Sequence, residues 1–255
     1  MKPAKIIGIP VGFWIILTFI CGEIFQPFSV NVPIYVLFIQ LIGTALFISL
    51  IIHLVNKKTN NGKLFQTKLI LSKTQKIYLS LTIIWFLIIY LTSCFPSFIS
   101  FYKTDLKTLF AATITALSAG FFEEYLIRGY LFNLVQRILN KLHTTHYLLT
   151  VTSIITSILF GLLHFTNIGE SSLTAIYQQV FYATCLGIFF SAIKIKTNTI
   201  YIGAIAHFIF DLQPTILGGT ETSPWIIIMI LFLPITIFSI LFIISVDNTK
   251  QKIIY

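Results

Sequence analysis

Runs of about twenty apolar residues recur along the whole chain, and no other feature constrains its fold as tightly. The approximate runs are 6–25, 32–55, 77–98, 109–132, 147–165, 173–193, 199–213 and 224–245. A helix needs about 20 such residues to cross the ~30 Å hydrocarbon core of a bilayer. In lipid, each segment must also satisfy its own backbone polar groups, which runs of this length do as helices. The expected fold is therefore an all-α, polytopic transmembrane bundle of about eight spans. Composition agrees. Only 10% of the 255 residues are charged and 56% are hydrophobic, whereas a soluble domain carries roughly 25% charged residues. An ordinary soluble enzyme, a disordered chain and a disulfide scaffold are excluded.

The formal net charge is +9. The basic residues sit in short connections between apolar runs, so membrane orientation accounts for them better than nucleic acid does. Counted by alternating connection, 14 Lys and Arg fall on one side, among them Lys57, Lys58, Arg137, Lys141, Lys194 and Lys196. Lys103 and Lys107 fall on the other, and Arg128 lies within a run. The positive-inside rule then places both termini in the cytoplasm of a multi-pass cell-membrane protein. The stretch 56–76, rich in Lys, Asn and Thr, reads as a solvated cytoplasmic connection. Residues 6–25 follow Lys2 and Lys5 like a signal peptide but lack a small-x-small cleavage site, so they are expected as a retained span. Cys21, Cys94 and Cys185 lie in apolar runs with neither disulfide nor zinc spacing and read as packing residues.

Charge inside a span costs several kcal/mol, so each ionisable residue there needs a reason. Such residues concentrate in the second half: Glu123, Glu124 and Arg128 in the fourth run, His164 in the fifth, His207 and Asp211 in the seventh. On a helix, Glu124 and Arg128 are four apart and can pair. Glu123 points about 100° away and remains a desolvated carboxylate facing the bundle interior, which suits a general base. Ser118, Ala119 and Gly120 leave room for a close helix or for substrate. Phe160 shares a helix face with His164 and can fix its ring. His207 and Asp211 are again one turn apart. Each group has a bland alternative: a Glu–Arg brace, a histidine bonded between helices, a plain His–Asp pair. Three spans bringing such groups to lipid depth together favour one intramembrane site. On these boundaries His164 falls near the outer end of its span and His207 nearer the inner end. A shared site therefore requires shifted or tilted spans, or a broken segment.

The motifs Glu123-Glu124-x-x-x-Arg128, Phe160-x-x-x-His164 and His207-x-x-x-Asp211, in this order, resemble those of the CAAX prenyl protease and bacteriocin-processing family of membrane proteins. The resemblance spans roughly 108–213. It implies an intramembrane glutamate protease in which Glu123 and His164 activate a water, His207 and Asp211 stabilise the oxyanion, and Glu124 and Arg128 organise the helix. The family carries Asn or Asp at the position of Asp211. An ionised Asp only accepts hydrogen bonds, so either Asp211 is protonated or it acts by orienting and charging His207, and the second role is the one expected. The implied organisation is three N-terminal spans with their basic loop over 1–107, a catalytic core over 108–213, and a last span with a basic tail over 214–255.

The expected function is cleavage of a membrane-associated peptide or protein without a cofactor. Ile- and Lys-rich, Arg-poor usage points to an AT-rich bacterial genome, which favours a bacteriocin or signalling-peptide precursor over a prenylated protein. Two alternatives stay open. The two Glu and two His could hold zinc, although no His-Glu-x-x-His helix is present. A non-catalytic membrane protein conferring bacteriocin immunity or scaffolding would keep the motifs for packing. The expected partners are the substrate and the bilayer, without nucleic acid; oligomeric state is not legible.

Overall fold

The computed structural model describes residues 32–142, 146–169, 171–214 and 222–249. The first expected span, 6–25, lies outside the described residues, as do Cys21 and Glu23. The described chain is helical, without strands among the described residues. In order, the helices are α1 (Ile34–Lys58), α2 (Lys73–Ile89), the short α3 (Phe95–Ile99), α4 (Leu106–Leu117), α5 (Phe132–Lys141), α6 (Leu148–Leu163), α7 (Leu173–Thr197), α8 (Tyr201–Asp211) and α9 (Trp225–Asp247). Wider, π-type winding carries α2 into α3 over Tyr90–Cys94, and joins α4 to α5 through Ser118–Glu123 and Tyr125–Leu131.

Local sequence explains the boundaries. Ser72 and Gln75 form a reciprocal capping box that opens α2. Asp105 caps α4 by accepting from the Lys107 and Thr108 amides. The Thr108 hydroxyl and these amides hold the Asp105 carboxyl below its ordinary range. Asp247, at the end of α9, accepts from the Leu149 and Thr150 amides and so satisfies the start of α6 from across the bundle.

α7 runs through the centre, and every residue from Cys185 to Ile195 is buried. α6 and α9 pack on it, α2 packs on α9, α1 packs on α4, and α8 lies against Ser118–Glu123. The outer faces of α1, α2 and α9 expose Tyr35, Leu46, Ile84, Ile226 and Ile230, each more than half exposed. Contiguous apolar faces of this kind suit lipid and not water. Five segments among the described residues are long and apolar enough to cross a membrane: 34–58, 73–103, 148–167, 173–197 and 225–247. α8 is apolar but shorter. The chain is thus an all-α membrane protein.

Two sequence readings need correction. The stretch 56–76 is not simply solvated. Its lysines are exposed, but Leu64, Phe65 and Leu69 are buried in a cluster with Phe132, Leu149, Ile195 and Phe242. Asn198, in the left-handed conformation that ends α7, accepts from the Leu64 and Phe65 amides and donates to the Phe65 carbonyl. The loop therefore closes one end of the bundle. Lys194 is likewise no loop residue. It lies within α7 with about 1% of its surface exposed.

Candidate active site

The fourth run is a helix wound too widely to be α-helical through its charged segment. Ser118–Glu123 and Tyr125–Leu131 have π geometry, a winding that often marks functional positions. Glu124 and Arg128 nevertheless stay paired, with Arg128 Nη1 donating to Glu124 Oε1 at 2.9 Å. Both side chains are buried. The Arg128 guanidinium lies over two rings, Phe160 at 4.8 Å and Phe190 at 5.6 Å from the centroids. Such contacts offset part of the cost of burying the cation. Gly187 makes room for it, because a Cβ there would sit 2.8 Å from Arg128 Nη2.

α8 brings His207 to the same carboxylate. His207 Nδ1 lies 3.1 Å from Glu124 Oε1, and its Nε2 lies 3.2 Å from Asp211 Oδ2. Ionised carboxylates only accept hydrogen bonds, so an imidazole serving both donates from both nitrogens and is the cationic form. The ring stacks on Phe190 at 4.8 Å with a 23° interplanar angle. The approach depends on Gly120, whose Cβ, if present, would lie 2.5 Å from the Phe208 backbone. Gly120→Ala is expected to overpack this crossing by ~1–3 kcal/mol and to move α8, taking His207 away from Glu124. Thermal unfolding in detergent, with processing measured on the same preparation, checks both effects; unchanged values for both contradict the packing argument.

His164 follows the last turn of α6. Its Nδ1 faces the Phe160 carbonyl at 3.2 Å. A carbonyl only accepts, so Nδ1 carries the proton and Nε2 keeps its lone pair in the neutral ring. The Phe160 ring meets His164 edge-on at 5.2 Å and His207 edge-on at 6.1 Å. His164 is also within electrostatic range of Asp211 and His207. Glu123 lies within electrostatic range of His207, Asp211, Glu124 and Arg128, yet its carboxylate makes no hydrogen bond or ion pair among the described residues. His164 and His207 are nevertheless neighbours, since both meet the Phe160 ring, and α8, which carries His207, packs against the widely wound segment.

All seven residues singled out in the sequence thus come together: Glu123, Glu124, Arg128, Phe160, His164, His207 and Asp211. The sequence reading missed the Glu124–His207 bond, the Phe190 ring between Arg128 and His207, and Lys194. The Lys194 ammonium donates to the Arg128 carbonyl and lies 4.1 Å from the Phe132 ring centroid. The signal available for Lys194 was a lysine only three residues beyond Ser191 in an apolar run.

Residues 105–213 match the sequence model of a family described as type II CAAX prenyl endopeptidase Rce1-like. This stretch of the chain is thus similar to that family. That segment begins at the residue capping α4 and ends two residues after Asp211, so it contains all the charged groups of the cluster. All three motifs fall within the matched residues, and the Rce1-like family is one of CAAX-type membrane proteases. No curated protein and no solved structure matches the chain.

Proposed function

We propose that the protein is a glutamate-dependent intramembrane endopeptidase with its chemistry in residues 108–213, acting on a membrane-associated peptide or small protein. The observation that carries this reading is the inequality of the two glutamates. Glu124 is claimed by Arg128 and His207, whereas Glu123 stands beside them with its oxygens free among the described residues. In the proposed step, Glu123 takes a proton from a water that His164 Nε2 also holds. The water oxygen bonds to the scissile carbonyl carbon, and the oxyanion forms beside the His207 cation, whose Nε2–H turns to it from Asp211. Glu123 then gives the proton to the leaving amine as the C–N bond breaks, leaving a carboxylic acid whose remaining proton passes to the amine, so the products are a carboxylate and an ammonium. Asp211 acts through His207 by keeping it charged.

The reaction proposed needs no metal. Both His207 nitrogens are engaged by carboxylates, and among the described residues no three His, Cys, Asp or Glu side chains are grouped as a metal site. Composition favours a bacterial host and a bacteriocin or signalling-peptide precursor. Membrane peptides from cells carrying Glu123→Gln should be shortened by purified wild-type protein in lipid discs and left intact by the variant. Chelators should not change the rate. Loss of activity in chelator with recovery on zinc would establish a metallopeptidase instead. A second reading draws on the same Glu124, Arg128 and His207 pairs: a brace without catalysis would serve immunity or scaffolding, and for it wild-type protein shortens nothing.

The proposed topology is eight spans in the cell membrane with cytoplasmic termini. Reporter fusions within 99–107 and 166–172 should read external and fusions within 56–76 cytoplasmic. A cytoplasmic 166–172 contradicts this topology.

A further inference from the structure

A buried lysine in lipid-depth packing needs a reason of its own. Lys194 lies near the end of α7, where Lys196 is half-exposed. A side chain that long can reach an interface by snorkelling. Lys194 turns inward instead, to the Arg128 carbonyl. That carbonyl has a particular history in the backbone. The Phe132 amide bonds the Ile127 carbonyl five residues back. α5 then resumes a four-residue register from Phe132. A register that shortens from five to four at Asn133 passes from the Ile127 carbonyl to that of Gly129, and the carbonyl it skips is that of Arg128. An orphaned buried carbonyl must be met from elsewhere, and Lys194 meets it. The Asn133 side chain also bonds the Gly129 carbonyl, so both sides of the register change are pinned.

We propose that Lys194 is a positioning residue of the active site: by occupying the carbonyl that the change of winding leaves open, it fixes the register of the segment carrying Glu123, Glu124 and Arg128. It also completes the local charge. Glu123, Glu124 and Asp211 face Arg128 and the doubly engaged His207. Lys194, within electrostatic range of Glu124 and Arg128, makes three acids against three cations. The Phe132 ring takes the remaining face of the ammonium. The role in catalysis rests on the protease reading above; the role in winding does not.

The test compares Lys194→Met, Lys194→Gln and Lys194→Arg in the full chain in lipid discs. Hydrogen exchange is read over 125–133, and turnover is read on the precursor found in membranes of Glu123→Gln cells. Lys194→Met should speed exchange over 125–133 by ~10-fold or more while 148–163 stays as in wild type. It should lower kcat at least ~10-fold with KM within about twofold, as expected when pre-organised geometry is lost and binding is not. Lys194→Arg, which keeps a charged donor of similar reach, should restore both readouts. Wild-type exchange and turnover in Lys194→Met would overturn the proposal. Loss of folded protein in both Lys194→Met and Lys194→Gln would also overturn it, by assigning Lys194 to folding alone. If Glu123→Gln itself still cleaves, the protease reading falls, and exchange over 125–133 still decides what Lys194 does.

Discussion

Glu123→Gln should stop processing of the substrate while the protein accumulates normally. The substitution nearly preserves shape and removes the base. General acid–base groups contribute ~10²–10⁴-fold to rate, and a group that both takes the proton from water and returns it to the amine should lie at the upper end. The fold has little to lose. Glu123 has no hydrogen bond or ion pair among the described residues, so a neutral amide in its place leaves no direct partner orphaned and gives up only its longer-range attraction to His207 and Arg128. Turnover and the amount of folded, monodisperse protein, measured together, check the claim. A fully active Glu123→Gln contradicts it.

Glu124→Gln should behave in the opposite way, losing folded protein as well as activity. Glu124 Oε1 receives both Arg128 at 2.9 Å and His207 at 3.1 Å, so one substitution leaves two buried cations short of their counter-ion. Removing one partner from a buried pair costs ~3–5 kcal/mol, a large share of a typical ~5–15 kcal/mol stability. Arg128→Gln should cost a comparable amount, because it also gives up the contacts with Phe160 and Phe190. Thermal unfolding and expression level report both effects. A well-folded, inactive Glu124→Gln beside an active Glu123→Gln would exchange the roles assigned to the two residues.

Much of this site could be read in the sequence because its pairs are local. Glu124 with Arg128, Phe160 with His164 and His207 with Asp211 are each one turn apart, and helical spacing alone brings them together. Their charge in apolar runs marks them out, since lipid gives no other easy account of them. What escaped is long-range or irregular. The π winding of 118–131 has no simple residue signature, so the segment reads as an ordinary span. The Glu124–His207 bond joins residues 83 apart, and no spacing rule announces it. Lys194 reads as part of a connection because a lysine near the end of an apolar run usually reaches water. Leu64, Phe65 and Leu69 were hidden among lysines and threonines, and only the Asn198 side chain, holding their backbone from the far end of α7, reveals that they close the bundle. The seventh run reads as a short span, and only the close crossing of Gly120 with Phe208 shows how His207 meets residues of the fourth and fifth runs.

The most direct test of the central claim is a comparison of membrane peptides from cells expressing wild type and Glu123→Gln at equal levels. The account predicts that a defined precursor accumulates in the variant, that its cleaved fragments disappear, and that re-expressing wild type restores them. Identical peptide profiles in the two strains, with the protein folded in both, would contradict a protease centred on Glu123.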